Sequence, residues 1–106
     1  MGARIYNKLI RDRIPEIIEK SGNKPVVEKV GEEKYISLLN EKLGEELKEY
    51  LESQSVEELA DLVEVIYALL NSKRVSLKDF EAIRLQKATE RGAFKERLLL
   101  KEVIEE

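Results

Sequence analysis

The chain has 106 residues, enough for one domain with its own core, although contacts with further copies often supplement a core of this size. Basic residues number 19 and acidic residues 22, and the net charge of -3 gives no general attraction for nucleic acid or an anionic membrane. The chain contains neither cysteine nor histidine, which excludes disulfides, thiolate zinc sites and the commonest general base. Any catalysis must therefore use carboxylates, lysine, arginine, tyrosine or metal-bound water.

Composition also bears on where the protein works. No run approaches the roughly 18 apolar residues that a membrane span requires, and the stretch MGARIYNKLIRDRIP has no signal-peptide core. We therefore predict a cytoplasmic protein without membrane contacts. Charged residues make up 39% of the chain and glutamine is scarce, a bias found in thermophile proteins and also typical of exposed helices.

The N-terminal half predicts a short helix, an extended segment and a long helix. Pro15 suits a first helical turn, and Gly22 lies just past the end of that helix. Residues 26–30 predict a short extended segment near 25–30, which forms a sheet only if it pairs. From about Glu33 to Ser53, apolar residues recur at helical spacing and form one stripe. The stripe consists of Ile36, Leu39, Leu43, Leu47, Tyr50 and Leu51.

A capping box, with Ser55 as N-cap and Glu58 at N3, predicts a second long helix that ends near Leu70. Since only the turn at Gln54 separates the two long helices, we expect an antiparallel hairpin. The predicted stripe of the second helix consists of Leu59, Leu62, Val63, Ile66 and Leu70. Because this helix is apolar on nearly all sides, we expect a second subunit to cover it in a dimer or larger assembly.

A second box at Ser76 and Asp79 predicts a last long helix that ends at Arg91, followed by Gly92. The tail 93–106 is left without an assigned role. The predicted fold is an all-α helical bundle in a single domain, residues 1–106.

Acidic residues border the apolar stripes of both hairpin helices. Glu46 and Glu49 share one flank of the first helix, and Glu58 and Asp61 share a flank of the second at the same level of the hairpin. Four converging carboxylates would repel one another and raise their pKa values unless cations neutralised them, and Mg²⁺ is the natural occupant. The alternative is a solvated face in which Glu58 serves as a cap and Lys42 pairs with Glu46.

Two basic groups complete the set of candidates. The face of the last helix turns from apolar to basic at Arg84, Lys87 and Arg91. The second group, near the N-terminus, consists of Arg4, Lys8, Arg11 and Arg13. Such groups can bind ligand phosphates, but ion pairs with glutamates explain them equally well.

The segments 45-EELKE-49 and 58-ELAD-61 together resemble the EExxE…ExxD signature of the all-α nucleoside triphosphate pyrophosphohydrolases, the MazG-like superfamily that includes the phosphoribosyl-ATP pyrophosphohydrolases. The segments YNKLIRDRIPEII and RLQKATERGAF resemble a small branch of that superfamily thought to remove noncanonical nucleotides.

This resemblance implies a helical, usually oligomeric protein that uses Mg²⁺, or Mn²⁺ in its place, to cleave a nucleoside triphosphate into monophosphate and pyrophosphate. By position, it implies four metal ligands: Glu46, Glu49, Glu58 and Asp61. Glu45 would be an accessory acid, and either Glu45 or Glu49 would accept the proton of the attacking water. We hypothesise phosphate contacts from Lys8, Arg11, Arg84, Lys87 and Arg91.

Three other functions are weighed against this one. Phosphoribosyl-ATP pyrophosphohydrolase shares the metal motif. A noncatalytic helical interaction or regulatory module would leave the acids solvated. A di-iron carboxylate bundle is disfavoured because Glu-x-x-His ligation needs histidine, and the net charge disfavours a nucleic acid polymer as partner.

Overall fold

The computed structural model describes residues 2–106, which form four α-helices and no β-strand. The helices are α1 (Ile14–Lys20), α2 (Glu32–Ser53), α3 (Val56–Ser72) and α4 (Leu77–Arg91). The all-α prediction is confirmed. The predicted extended segment at 26–30 is neither helix nor strand, and Val26 is 92% exposed, because no neighbouring strand pairs with it within residues 2–106.

The chain divides into two compact units, one ending at Arg74 and the other covering Val75–Glu106. The single domain over residues 1–106 stays a prediction. Within residues 2–106, none of the helices combines the length and apolar character that crossing a bilayer demands.

The helix ends follow the predicted signals. Ser55 Oγ accepts a hydrogen bond from the amide of Glu58, and Ser76 Oγ accepts one from the amide of Asp79. The capping box of α3 is only half formed, because the Ser55 amide donates to Ser53 Oγ and not to the Glu58 side chain. The Glu58 carboxylate is therefore available to the hairpin interior, and the prediction that Glu58 serves as the capping acid is wrong.

α2 and α3 pack against each other as the predicted hairpin, with Gln54 in the left-handed conformation at the turn (φ 54°). Among residues 2–106, the three most buried are Leu39 (3% exposed), Glu46 (6%) and Val65 (8%). One of the three is a carboxylate. The hairpin is therefore apolar away from the turn and acidic nearer to it.

The helices are rotated relative to the predicted stripes. Leu47 and Leu51 of α2, and Leu59 and Val63 of α3, are between 40% and 61% exposed. Val65 lies on the flank of α3 that carries Glu58 and Asp61, and it is buried although Leu59 and Val63 are not. Because α3 is apolar on nearly all sides, periodicity could not fix which of its faces meets α2. The rotation leaves apolar residues exposed on the outside of the hairpin.

The unit Val75–Glu106 consists of α4 and an irregular tail. Residues 92–106 contain turns but no helix. The tail leucines, Leu98, Leu99 and Leu100, are between 77% and 89% exposed, so within this unit they contribute little to a core.

Candidate metal centre

The hairpin brings together the four carboxylates predicted from the sequence. One ligand oxygen from each of Glu46, Glu58 and Asp61 lies within 4.8 Å of the others. Glu49, one turn after Glu46 on α2, lies close enough to both glutamates to affect their ionisation. The short turn at Gln54 explains the convergence, since it places the last turns of α2 beside the first turns of α3.

Two oxygens of this group are buried without a hydrogen-bond partner among residues 2–106, namely Glu46 Oε2 and Glu58 Oε2. Burial and the adjacent Glu49 raise the pKa of Glu46, although Lys42 acts in the opposite direction. Desolvation, Asp61 and Glu46 raise the pKa of Glu58, with a smaller opposing effect of Glu49. A buried carboxylate oxygen without a partner is costly, and a bound cation would offset that cost.

Hard divalent cations fit this donor set. Mg²⁺, Mn²⁺ and Ca²⁺ favour carboxylate oxygens, and neither sulfur nor imidazole ligands are present in the chain. One carboxylate oxygen each from Glu46, Glu58 and Asp61 could serve as a ligand, which would give an ion three protein ligands. Water or substrate oxygens would fill the remaining positions, as is usual for Mg²⁺.

Glu45 points to a different set of partners. Its Oε1 lies 3.1 Å from Lys8 Nζ and 3.5 Å from Lys42 Nζ. Burial alone would raise the pKa of Glu45, but the two ammonium groups outweigh burial and lower it. Lys42 also lies 3.4 Å from Glu46 Oε1, which confirms the predicted pair between these two residues.

The N-terminal segment supplies a second contact with the cluster. Arg11 donates a hydrogen bond of 2.7 Å to Asp61 Oδ1. Hydrogen bonding to Glu45 raises the pKa of Lys8, so its ammonium stays charged. Both basic residues predicted as phosphate contacts in this segment therefore lie at the carboxylate cluster, although about half of each side chain is exposed.

The three basic residues of α4 belong to the other unit. Arg84, Lys87 and Arg91 are all exposed. The Arg84 guanidinium forms an ion pair with Glu81 one turn earlier. Their contact with phosphate stays a prediction.

Lys42 has a larger part in the cluster than the predicted intrahelical ion pair with Glu46. The side chain is only 16% exposed and contacts two acids of the signature. Its position four residues before Glu46, on the flank shared by the acids, was the available signal.

Replacing Glu46 with glutamine should change how stability depends on pH in metal-free solution. A carboxyl group whose pKa is raised in the folded state stabilises that state at pH values below the ordinary pKa of 4.5. This stabilisation is lost as the pH rises through the raised pKa. Wild type should therefore lose stability relative to Glu46→Gln between pH 4.5 and neutrality, by about 1.4 kcal/mol for each unit of pKa elevation.

Urea unfolding at several pH values, with a chelator present, measures this difference. Glu52→Gln, an exposed glutamate of the same helix, is the matched control and should follow wild type. Parallel curves for wild type and Glu46→Gln would contradict the prediction.

Comparisons with known proteins give one family match and one partial match. No solved structure matches the chain. An uncharacterized protein of Mycolicibacterium smegmatis (strain ATCC 700084 / mc(2)155) is 45% identical over 42 residues, which are 40% of this chain and 43% of that protein. The chain thus spans less than half the length of this relative. The family described as phosphoribosyl-ATP pyrophosphohydrolase matches residues 3–89, which include α1, α2, α3 and most of α4. The chain therefore belongs to the phosphoribosyl-ATP pyrophosphohydrolase family, within the MazG-like all-α superfamily.

Proposed function

We propose that the protein is a Mg²⁺-dependent pyrophosphohydrolase that converts a nucleoside triphosphate, in particular a noncanonical one, into nucleoside monophosphate and pyrophosphate. The observation that carries the proposal is the pair of buried, partnerless oxygens on Glu46 and Glu58, beside Asp61. A group of acids is by itself weak evidence for a metal. Here, however, Glu46 is 94% buried, and one of its oxygens has no hydrogen-bond partner within residues 2–106. In a solvated acidic face, water would surround both oxygens.

Glu46, Glu58 and Asp61 would hold the ion. Asp61 can keep Arg11 on Oδ1 and still offer its other oxygen. A divalent cation bound there would offset the negative charge of the triphosphate and make nearby water more acidic. Mn²⁺ satisfies the same oxygen ligands and is expected to substitute for Mg²⁺.

Glu49 is the better candidate for the proton acceptor. Glu45 is held by Lys8 and Lys42, and its lowered pKa makes it a weaker base. Glu49 lies beside the metal ligands and forms no ion pair with a basic residue of positions 2–106. In the proposed reaction, the oxygen of water bonds to one phosphorus of the α–β bridge, the bridging P–O bond breaks, and the water proton passes to Glu49.

Lys8 and Arg11 are the proposed phosphate contacts in the N-terminal segment. Each is half exposed and already lies against an acid of the cluster, so its charge is close to where a metal-bound triphosphate would be held. Arg84, Lys87 and Arg91 are proposed as further phosphate contacts on the strength of their charge and exposure.

Phosphoribosyl-ATP is the second candidate substrate. The description of the matching family favours it. Phosphoribosyl-ATP also contains a triphosphate chain, so the geometry of the carboxylates does not distinguish between the two substrates. A direct substrate comparison does.

We further propose that the chain works as a dimer or larger assembly. The outward face of the hairpin exposes Leu47, Leu51, Leu59, Val63 and Tyr67. Only Leu39 and Val65 are buried apolar residues within positions 2–106, which is a small core for a chain of this length. A second copy that covers the outward face would supply the missing burial.

The substrate proposal is tested with purified protein, a panel of standard and modified nucleoside triphosphates, and phosphoribosyl-ATP. We expect a monophosphate product and pyrophosphate, resolved by ion-exchange chromatography, only when Mg²⁺ or Mn²⁺ is present. Asp61→Asn should lower kcat/KM by more than about 100-fold, because even partners of metal ligands typically contribute about 10–100-fold. Glu64→Gln, at an exposed position of the same helix, is the control and should retain activity.

Metal-independent turnover, or full activity in Asp61→Asn, would contradict the metal assignment. No turnover of any substrate, with no effect of Mg²⁺ on thermal unfolding, would favour the noncatalytic interaction module.

The assembly proposal is tested by light scattering at micromolar concentration, where we expect a dimer or larger species. Leu51→Asp places a charge in the outward apolar face and should shift the protein toward monomer. Val56→Asp, in the same hairpin, is the comparison variant, since Val56 is 76% exposed and outside the set that we propose is covered. A wild-type monomer would contradict the proposal.

A further inference from the structure

Lys42 is an internal cation of the carboxylate cluster. Its side chain is only 16% exposed, and its Nζ lies 3.4 Å from Glu46 Oε1 and 3.5 Å from Glu45 Oε1. Lysine is seldom removed from water to this extent unless it is paired, and here two acids hold the ammonium in position. Lys42 therefore contributes a fixed positive charge to one side of the cluster.

The two oxygens of Glu46 consequently have different surroundings. Oε1 faces the ammonium of Lys42, whereas Oε2 is buried without a hydrogen-bond partner in the described part of the chain. Metal pairs in phosphate-processing enzymes are about 3.5–4 Å apart. A carboxylate can bridge such a pair with one oxygen on each ion, and Glu46 has only one oxygen left for that purpose.

We infer that Lys42 takes the place of a second metal ion, so that each chain binds one divalent cation, at Glu46 Oε2, Glu58 and Asp61. The inference rests on the metal site of the proposed function and adds its stoichiometry. Glu45 supports it, because Glu45 Oε1 also has Lys8 at 3.1 Å and so has two ammonium partners. Without the Lys42 ammonium, Glu46 Oε1 would lose its cation partner and Glu45 would keep only Lys8. Together with Glu49, these acids would then offer oxygens that a second ion can use.

The stoichiometry can be measured without substrate or turnover. Mn²⁺ is titrated into each protein, and the unbound aqueous ion is counted by electron paramagnetic resonance. We expect one bound Mn²⁺ per chain for wild type and two for Lys42→Gln, the second bound more weakly. Lys42→Arg retains the charge and should bind one. Lys48→Gln is the matched control, because it removes the same charge from an exposed position of α2 and should also bind one.

The outcomes separate the inference from the site on which it rests. Two ions in wild type, or one ion in Lys42→Gln, would overturn the role of Lys42 and leave the metal site standing. No binding by wild type would overturn both. Circular dichroism checks folding, and Lys42→Met, which keeps most of the aliphatic stem, replaces Lys42→Gln with the same expected count if the glutamine variant does not fold.

Discussion

Repulsion among carboxylates inside the α2–α3 hairpin is the constraint on which the rest of the structure depends. Glu46 is one of the three most buried residues among positions 2–106, beside Leu39 and Val65. A helix pair selected only for stability would place an apolar side chain there, because burial of an ionised carboxylate is costly unless it is paired. The basic residues of the cluster offset part of this cost, and two oxygens remain without partners at the position where we propose a cation.

The positive charges near the cluster have different attachments, which indicates different roles. Lys42 belongs to the same helix as Glu45 and Glu46 and is largely buried, so its charge is a permanent part of the site. Lys8 and Arg11 come from the irregular N-terminal segment and are half exposed, so a ligand can compete for them at lower cost. This division agrees with the proposed function, in which the helices hold the metal and the N-terminal segment meets the phosphates.

The elements could be predicted from sequence because their signals are local. Pro15, Ser55, Ser76 and Gly92 each mark a helix end through their own backbone or side-chain chemistry, and the structure places helix boundaries beside all of them. The rotation of α3 could not be predicted in the same way. A helix with apolar residues on nearly every side has no unique inner face, so packing against α2 decided that Val65 is buried and Leu59 is not.

The candidate site shows the same difference between local and tertiary information. The spacing of Glu46 and Glu49, and of Glu58 and Asp61, predicted their convergence because one short turn joins the two helices. The contact of Arg11 with Asp61, which lies 50 positions further along the chain, has no periodic signal and depends on how the N-terminal segment lies against the hairpin. Residue spacing also could not show that the Ser55 amide donates its hydrogen bond to Ser53 Oγ and not to the Glu58 side chain.

The central claim is that this carboxylate cluster binds a divalent cation, and crystals grown or soaked with Mn²⁺ test it most directly. An anomalous difference map should contain a peak at bonding distance from Glu46 Oε2, Glu58 and Asp61. A map without manganese at these residues, in crystals where the cluster is open to solvent and Mn²⁺ is in excess, would contradict the account.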